Sequence, residues 1–217
     1  MTTICGIDEA GRGPVIGPLV MCALTIDKKD EKKLIGIGVR DSKQLSPKQR
    51  EEMFSKIKAA AAKIEVIVVS PQEIDKAVES EETNLNWLEA DHTIEMINNL
   101  APDIAYIDCP SNNINAYSNY LRTKLKAKTE LHADHKADEK YPVVSAASII
   151  AKVTRDREIE KIHKKIGEDF GSGYPADPTT RKFLEENWKK FPEIFRKSWA
   201  SYKEFSKKKG QRRLGEY

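Results

Sequence analysis

Apolar residues recur along the chain in two rhythms. Short runs at Ile4–Ile7, Leu19–Ile26, Ile64–Val69 and Ile104–Ile107, rich in β-branched residues and bounded by Gly, Pro or charged positions, read as strands. Only the Gly/Pro-rich turn 11–18 separates the first two, which predicts a hairpin-like antiparallel pair. The lysine-rich stretch that follows reads as a surface connection or short helix. Elsewhere the spacing is helical. Ser46-Pro47-Lys48-Gln49 is a helix start with a capping box, and Met53, Ile57, Ala61 and Ile64 give that helix an apolar stripe. Ser70-Pro71-Gln72-Glu73 repeats the start signal. A longer helix spans Asn84 to Asn99, with Leu85, Leu88, His92 and Met96 on one face, and another runs from about Val143 to Ile166. Asp177-Pro178-Thr179 opens a helix with Phe183, Leu184 and Trp188 facing a core. Pro192 interrupts, and Ile194, Phe195, Trp199 and Phe205 predict a final helix. The result is an α/β chain with a small C-terminal helical extension.

Composition narrows the class. With 217 residues there is room for one large domain or a domain plus an extension. Apolar content of 39% and charged content of 33% fit a soluble globular protein, and the net charge of +3 leaves any nucleic-acid binding to local patches. Cys5, Cys22 and Cys109 show no metal-type spacing and suit a reducing cytoplasm as small core residues. No stretch is apolar for long enough to span a membrane, and no signal-peptide pattern is seen.

The candidate chemistry starts at the first strand. Ile4–Ile7 ends in Asp8 and Glu9, and Arg12 follows between Gly11 and Gly13. Carboxylates followed by a glycine-flanked cation suit a site that holds metal ions and phosphate, with backbone N–H groups close to the anion. The plain alternative is a solvated turn. Neighbours on a regular strand also point to opposite faces, so Asp8 and Glu9 share a site only where the strand ends or bulges. Asp108 closes another strand before Cys109-Pro110, and ligands of α/β sheets gather at such ends. Leu131–Asp138 is dense in His132, Asp134, His135 and Asp138. Its spacing is not that of a zinc site, and oxygen-rich groups suit magnesium or manganese better. On the 143–166 helix, Ser145, Ser148, Lys152 and Arg155 share one face beside a stripe of Ala146, Ile149, Ile150 and Val153. The hydroxyls lie near the helix N-terminus, which favours anions, while the cations alone would read as a solvated edge. Tyr174, in Gly173-Tyr174-Pro175, is either a buried turn residue or a ring that stacks on a sugar or base. The basic end of the chain, from Lys207, reads by composition as a disordered tail.

Two long segments carry a resemblance. Asp8-Glu9-Ala10-Gly11-Arg12-Gly13-Pro14 with Gly17-Pro18, and Ser145 to Asp156, resemble ribonuclease HII, closest to its archaeal type. Asp41-Ser42-Lys43, Tyr106-Ile107-Asp108, Ala137-Asp138 and Gly173-Tyr174-Pro175 match in order between and after them. The resemblance implies a ribonuclease-H-like mixed β-sheet flanked by helices over 1–175, a helical extension over 176–206 and a basic tail over 207–217. It implies a catalytic and metal-binding set of Asp8, Glu9, Asp108 and Asp138. Four carboxylates need a positive partner, and two divalent ions, Mg2+ or Mn2+, about 3.5–4 Å apart meet that need. Substrate contacts are implied for Gly11, Arg12, Gly13, Lys43, Ser145, Ser148, Lys152, Arg155 and Tyr174. The implied activity is hydrolysis of the RNA strand of RNA/DNA hybrids and incision 5′ of ribonucleotides embedded in duplex DNA, leaving 3′-hydroxyl and 5′-phosphate ends. Its roles would be ribonucleotide removal and primer removal. Gln211, Leu214 and Tyr217 resemble the peptide that docks on the DNA sliding clamp, with one aromatic where two are common. A monomer is the default. Two rivals stand beside this reading: a carboxylate-based DNA exonuclease that ignores the 2′-hydroxyl, and a non-catalytic nucleic-acid or clamp-binding adaptor.

Overall fold

The computed structural model describes residues 1–39 and 45–212. In chain order the elements are β1 (Thr3–Ala10), β2 (Leu19–Asp27), a 3-10 turn (Lys28–Asp30), α1 (Glu31–Ile37), α2 (Pro47–Ala60), β3 (Lys63–Val69), α3 (Pro71–Val78), α4 (Leu85–Leu100), β4 (Ile104–Asp108), α5 (Ile114–Lys124), β5 (Glu130–Asp134), α6 (Ala137–Lys140), α7 (Pro142–Ile166), α8 (Pro178–Asn187) and α9 (Ala200–Arg212). Both predicted capping boxes form: Ser46 caps α2 with Gln49, and Ser70 caps α3 with Glu73, each pair satisfying amides at the helix start. Asp177 caps α8 by accepting from Thr179 N–H.

Among the described residues the strands form one mixed sheet in the order β3-β2-β1-β4-β5. β1 and β2 pair antiparallel from Thr3↔Asp27 to Ala10↔Val20, as the short turn between them predicts. β4 runs parallel to β1 and to β5. Three elements escaped the sequence reading. β5 and α6 overlap the ligand-dense stretch Leu131–Asp138, and α5 fills a segment with no assigned element.

The chain divides into two compact units. The first comprises Met1–Ala10, Val20–Val68 and Leu85–Arg155, and so holds most of the sheet. Its core joins Ile4, Val20, Cys22, Leu24 and Ile26 of the hairpin to Val143, Val144, Ala147 and Ile150 of α7. Gly6 explains how α7 comes so close. A Cβ at that position would fall inside the backbone of Val143 and Val144, so only glycine allows the start of α7 to lie on the strand.

The second unit comprises Gly11–Leu19, Val69–Asn84 and the chain from Asp156 onward. Val15, Ile16, Phe170, Phe183, Leu184, Ile194, Phe195 and Tyr202 are its buried core. Here one expectation is corrected. The residues from Ile194 to Trp199 are not helical, and α9 begins only at Ala200. Phe195 instead makes an antiparallel bridge to Ile16, while Gly17 N–H donates to Ile194 O at 2.9 Å and Arg196 N–H to Val15 O at 2.8 Å. Long-range pairing with the 11–17 turn overrides the local helical spacing.

Candidate active site

The parallel ladder between β1 and β4 ends at Ile7↔Ile107. Asp8 and Asp108 lie one step beyond that last pair, where the strands are free to part. Asp8 is buried and Glu9 is half-buried. β1 keeps its regular register with β2 through Glu9 and Ala10, so the strand neither ends nor bulges at the acids. Alternation then sends the two side chains to opposite faces, and their electrostatic partners differ accordingly. Asp8 has its pKa raised from 3.8 to about 7, first by burial and next by the charge of Asp108, with Asp138 adding to the effect. A hydrogen bond from Ser148 and one from Glu9 N–H, at 2.7 Å, hold it down in part. Glu9 instead acts on Cys109 and Tyr117, both raised first by burial, with the charge of Glu9 adding to the effect.

Asp108 Oδ1 accepts from Ala137 N–H at 3.0 Å, which ties the end of β4 to the residue before Asp138. Asp138 itself is buried. The structure thus brings Asp8, Asp108 and Asp138 within electrostatic reach of one another, and Cys109 within reach of both Glu9 and Asp108. Among the described residues, no three His, Cys, Asp or Glu side chains already converge into a cage for an ion. The donor set is nonetheless all oxygen, and mutual repulsion of buried carboxylates is what a divalent cation relieves, so these residues fit magnesium or manganese.

The predicted polar face of α7 divides. Two strand residues from Gly6 to Asp8 advance about 6.6 Å, and four helix residues from Val144 to Ser148 advance about 6 Å. Contact at Gly6 therefore places Ser148 opposite Asp8. Ser145 is fully buried, and its hydroxyl donates to the Val39 carbonyl, an internal tie. Lys152 is half-buried and Arg155 buried, farther along the same face.

Asp134 stands apart from the set. It pairs in register with Asp108, but its carboxylate accepts from Lys140 Nζ at 2.7 Å and Tyr141 OH at 2.9 Å. The Lys140 bond comes first in lowering its pKa. His132 faces Glu130 and His135 faces the Cys109 carbonyl, so neither histidine joins the three aspartates.

In the second unit, Gly11, Arg12, Gly13 and Tyr174 come together. Gly11 has φ 85°, a left-handed conformation natural to glycine. Gly13 lies against the Tyr174 ring, since a Cβ there would sit 3.5 Å from Cε1. Tyr174 is 43% exposed, so it is not buried in the turn. Val15 and Ile16 N–H both donate to Gly173 O, at 2.8 and 3.3 Å, binding the two loops to each other.

Sequence reasoning missed Arg196. This arginine is fully buried, with Nε donating to Gly17 O at 3.0 Å, Nη1 to Arg12 O at 2.9 Å and Nη2 to Gly11 O at 2.6 Å. Trp199 completes the set: its Nε1–H donates to Gly13 O at 3.1 Å, and the Arg196 guanidinium lies 4.9 Å from its ring centre. The one available signal was an arginine between Phe195 and Trp199 in an apolar stretch. Lys43, Leu214 and Tyr217 lie outside the described residues. Gln211 lies in the last turn of α9.

Comparison with known proteins gives the family. The family model described as Ribonuclease HII matches residues 5–202. A Pyrococcus furiosus protein named Ribonuclease HII is 48% identical over 203 residues, covering 91% of this chain and 88% of its own. The crystal structure of ribonuclease H2 from Pyrococcus horikoshii OT3 superposes with a TM-score of 0.87 at 45% identity, covering 95% of this chain and 98% of that one. The ribonuclease HII in a PCNA complex from Archaeoglobus fulgidus gives a TM-score of 0.79 at 43% identity, covering 88% and 89%.

Proposed function

The chain belongs to the ribonuclease HII family, and from that premise we propose how its own residues carry the activity. It is an endoribonuclease acting on RNA/DNA hybrids, as its family membership establishes. The observation that carries the residue-level reading is Asp8. It is buried just past the last β1–β4 pair, held by Ser148 and by Glu9 N–H, and opposed by Asp108 and Asp138.

In this reading Asp8, Asp108 and Asp138 hold two divalent cations, Mg2+ or Mn2+, and Glu9, which alternation starts on the other face of β1, reaches them around the open edge beyond the last β1–β4 pair. Once bound, such ions supply an activated water and charge compensation for the leaving oxygen of a phosphodiester. Ser148 fixes the Asp8 carboxylate, and Ala137 N–H fixes that of Asp108, so the two acids keep their places before substrate arrives. Lys152 and Arg155 follow Ser148 along α7 as cations for the substrate backbone, with Lys43 assigned the same task. Ser145 serves instead to hold α7 to Val39.

The turn Gly11–Gly13 and the Tyr174 ring recognise the nucleotide that carries a 2′-hydroxyl, the group that separates RNA from DNA at the cut. Incision is 5′ of that ribonucleotide and leaves 3′-hydroxyl and 5′-phosphate ends. The work in the cell is removal of ribonucleotides from DNA and of RNA primers. The A. fulgidus relative was solved with PCNA, which supports a sliding-clamp partner here through Gln211, Leu214 and Tyr217.

The test uses a DNA duplex with one embedded ribonucleotide and Mg2+, comparing the native chain with Asp138→Asn and including an all-DNA duplex. One cut 5′ of the ribonucleotide, lost in the variant, is the expected result. Cutting of the all-DNA duplex would favour the exonuclease reading. Binding without turnover in Mg2+ or Mn2+ would favour the adaptor.

A further inference from the structure

The buried guanidinium of Arg196 points to a role outside the carboxylate site. Three of its N–H groups end on the carbonyls of Gly11, Arg12 and Gly17, and Trp199 takes the carbonyl of Gly13. Every carbonyl from residue 11 to residue 13 is therefore drawn toward the segment between Ile194 and Trp199. In a planar trans peptide the N–H of the next residue points opposite to the carbonyl, and no cis bond occurs among the described residues. The amides of Arg12 and Gly13 are consequently turned away from Arg196. Pro14, third in line, has no N–H. The Arg12 and Gly13 N–H groups thus lie on the side of the turn away from Arg196, with the exposed Tyr174 ring against Gly13.

The clamp is itself anchored. Lys197 N–H, Ser198 N–H and Ser198 Oγ all donate to the Asp75 carboxylate, at 2.9, 2.9 and 2.6 Å. Gly17 N–H and Arg196 N–H pair with Ile194 O and Val15 O on the other side. A planar fork with several donors in fixed directions can hold three carbonyls at once, which a lysine ammonium cannot do with the same directionality.

We propose that Arg196, assisted by Trp199, is a positioning residue for ribose recognition, setting the 11–13 turn so that the Arg12 and Gly13 amides meet the nucleotide carrying the 2′-hydroxyl. This rests on the reading of that turn and Tyr174 as the ribose sensor. A misplaced sensor acts mainly in the transition state, so the loss belongs in kcat more than in KM. It also belongs mainly to the substrate with a single ribonucleotide, because a continuous hybrid offers an alternative register at every step.

The experiment measures kcat and KM for Arg196→Gln, Arg196→Lys and Trp199→Phe on a duplex with one ribonucleotide and on a continuous RNA/DNA hybrid, together with each variant's Tm. Trp199→Phe keeps a ring over the guanidinium and removes only the bond to Gly13 O, so it remains informative if Arg196→Gln folds poorly. For Arg196→Gln, kcat on the single ribonucleotide should fall about 100-fold, the scale of a small misplacement of positioned groups. Arg196→Lys should recover part of that loss, and Trp199→Phe should lose about tenfold with its Tm nearly unchanged. Cleavage of the hybrid should fall much less in all three. Equal losses on both substrates, or unchanged rates in Trp199→Phe and Arg196→Lys, would overturn the proposal. A Tyr174→Ala arm separates the two levels. If Tyr174→Ala is substrate-selective but the Arg196 and Trp199 variants are not, the positioning role alone fails. If Tyr174→Ala shows no selectivity, the sensor reading fails and the positioning role falls with it.

Discussion

One buried carboxyl group adds a pH dependence of its own to the metal-free protein. Asp8 titrates near 7 in the folded chain because it is buried beside Asp108 and Asp138, against 3.8 for an ordinary aspartate. In the unfolded chain it ionises at the lower value. Between those two values the unfolded state releases a proton that the folded state keeps. Asp8's contribution to stability is therefore complete below about pH 4 and is lost as pH rises through about 7. Asp8→Asn removes this penalty. In EDTA the variant should melt above the native chain at pH 8, by an amount on the order of 2–4 kcal/mol, and the gap should shrink at pH 5. Mg2+ should raise the native Tm at pH 8 and leave that of the variant nearly unchanged. Thermal melts at both pH values with and without Mg2+ check this, and a variant less stable than native at pH 8 in EDTA would refute it. The residue scale is also where the sequence was most and least legible. As candidates, Asp8 and Asp108 stand out by ending apolar runs, and Asp138 by the family resemblance. Arg196 does not, because an arginine that binds main-chain carbonyls has no spacing rule. Its partners lie some 180 residues earlier, and their own identities hardly matter to the bond.

At the scale of elements, the site depends on one helix lying on one strand. Gly6 and Asp8 share a face of β1, and the start of α7 sits on Gly6 while Ser148 reaches Asp8. Gly6→Ala puts a methyl group into main-chain atoms that no rotamer change can move. Overpacking of this kind costs about 1–3 kcal/mol, or more where backbone must shift. The variant should unfold at a lower denaturant concentration with an unchanged m-value, and cleavage should fall further than the folded fraction does, because Ser148 moves with α7. Activity that simply tracks the folded fraction would show that α7 is not what orients Asp8. Elements with strong local signals were readable: the capped helices α2, α3 and α8, and the apolar strands β1 to β4. β5, Glu-Leu-His-Ala-Asp, was not, since an edge strand with charged residues on one face lacks an apolar run. The segment Ile194–Trp199 misled because its apolar spacing suits a helix, whereas its structure is set by the bridge from Phe195 to Ile16 and by the carbonyls that Arg196 serves.

Charge decides the matter at the scale of the whole molecule. Residues 207–217 carry five Lys or Arg and one Glu, a net +4, so the remaining 206 residues sum to −1 against a total of +3. The rest of the chain therefore has no net attraction for a polyanion beyond its local basic patches, and the expected contribution of the tail is to long-range capture of DNA. Tethering to a clamp already encircling DNA raises the effective concentration of enzyme at its substrate without altering any contact in the active site. Two effects of the tail must then be separated, its charge and its Gln211-x-x-Leu214-x-x-Tyr217 pattern. Deleting 207–217 removes both. The double change Leu214→Ala with Tyr217→Ala keeps every charge and removes only the apolar anchors, on which a groove-binding peptide depends most. On a short duplex without clamp, the double variant should match the native chain in kcat and KM. On long DNA loaded with an archaeal sliding clamp, the native chain should gain about tenfold or more in apparent kcat/KM, while the double variant and the deletion gain nothing. Titration calorimetry with the clamp should give heat for the native chain alone. Equal clamp binding by native and double variant would mean that charge, not the pattern, holds the partner. In that case the gain on long DNA should collapse as salt rises from 50 to 200 mM, as screened contacts do and a buried apolar anchor does not.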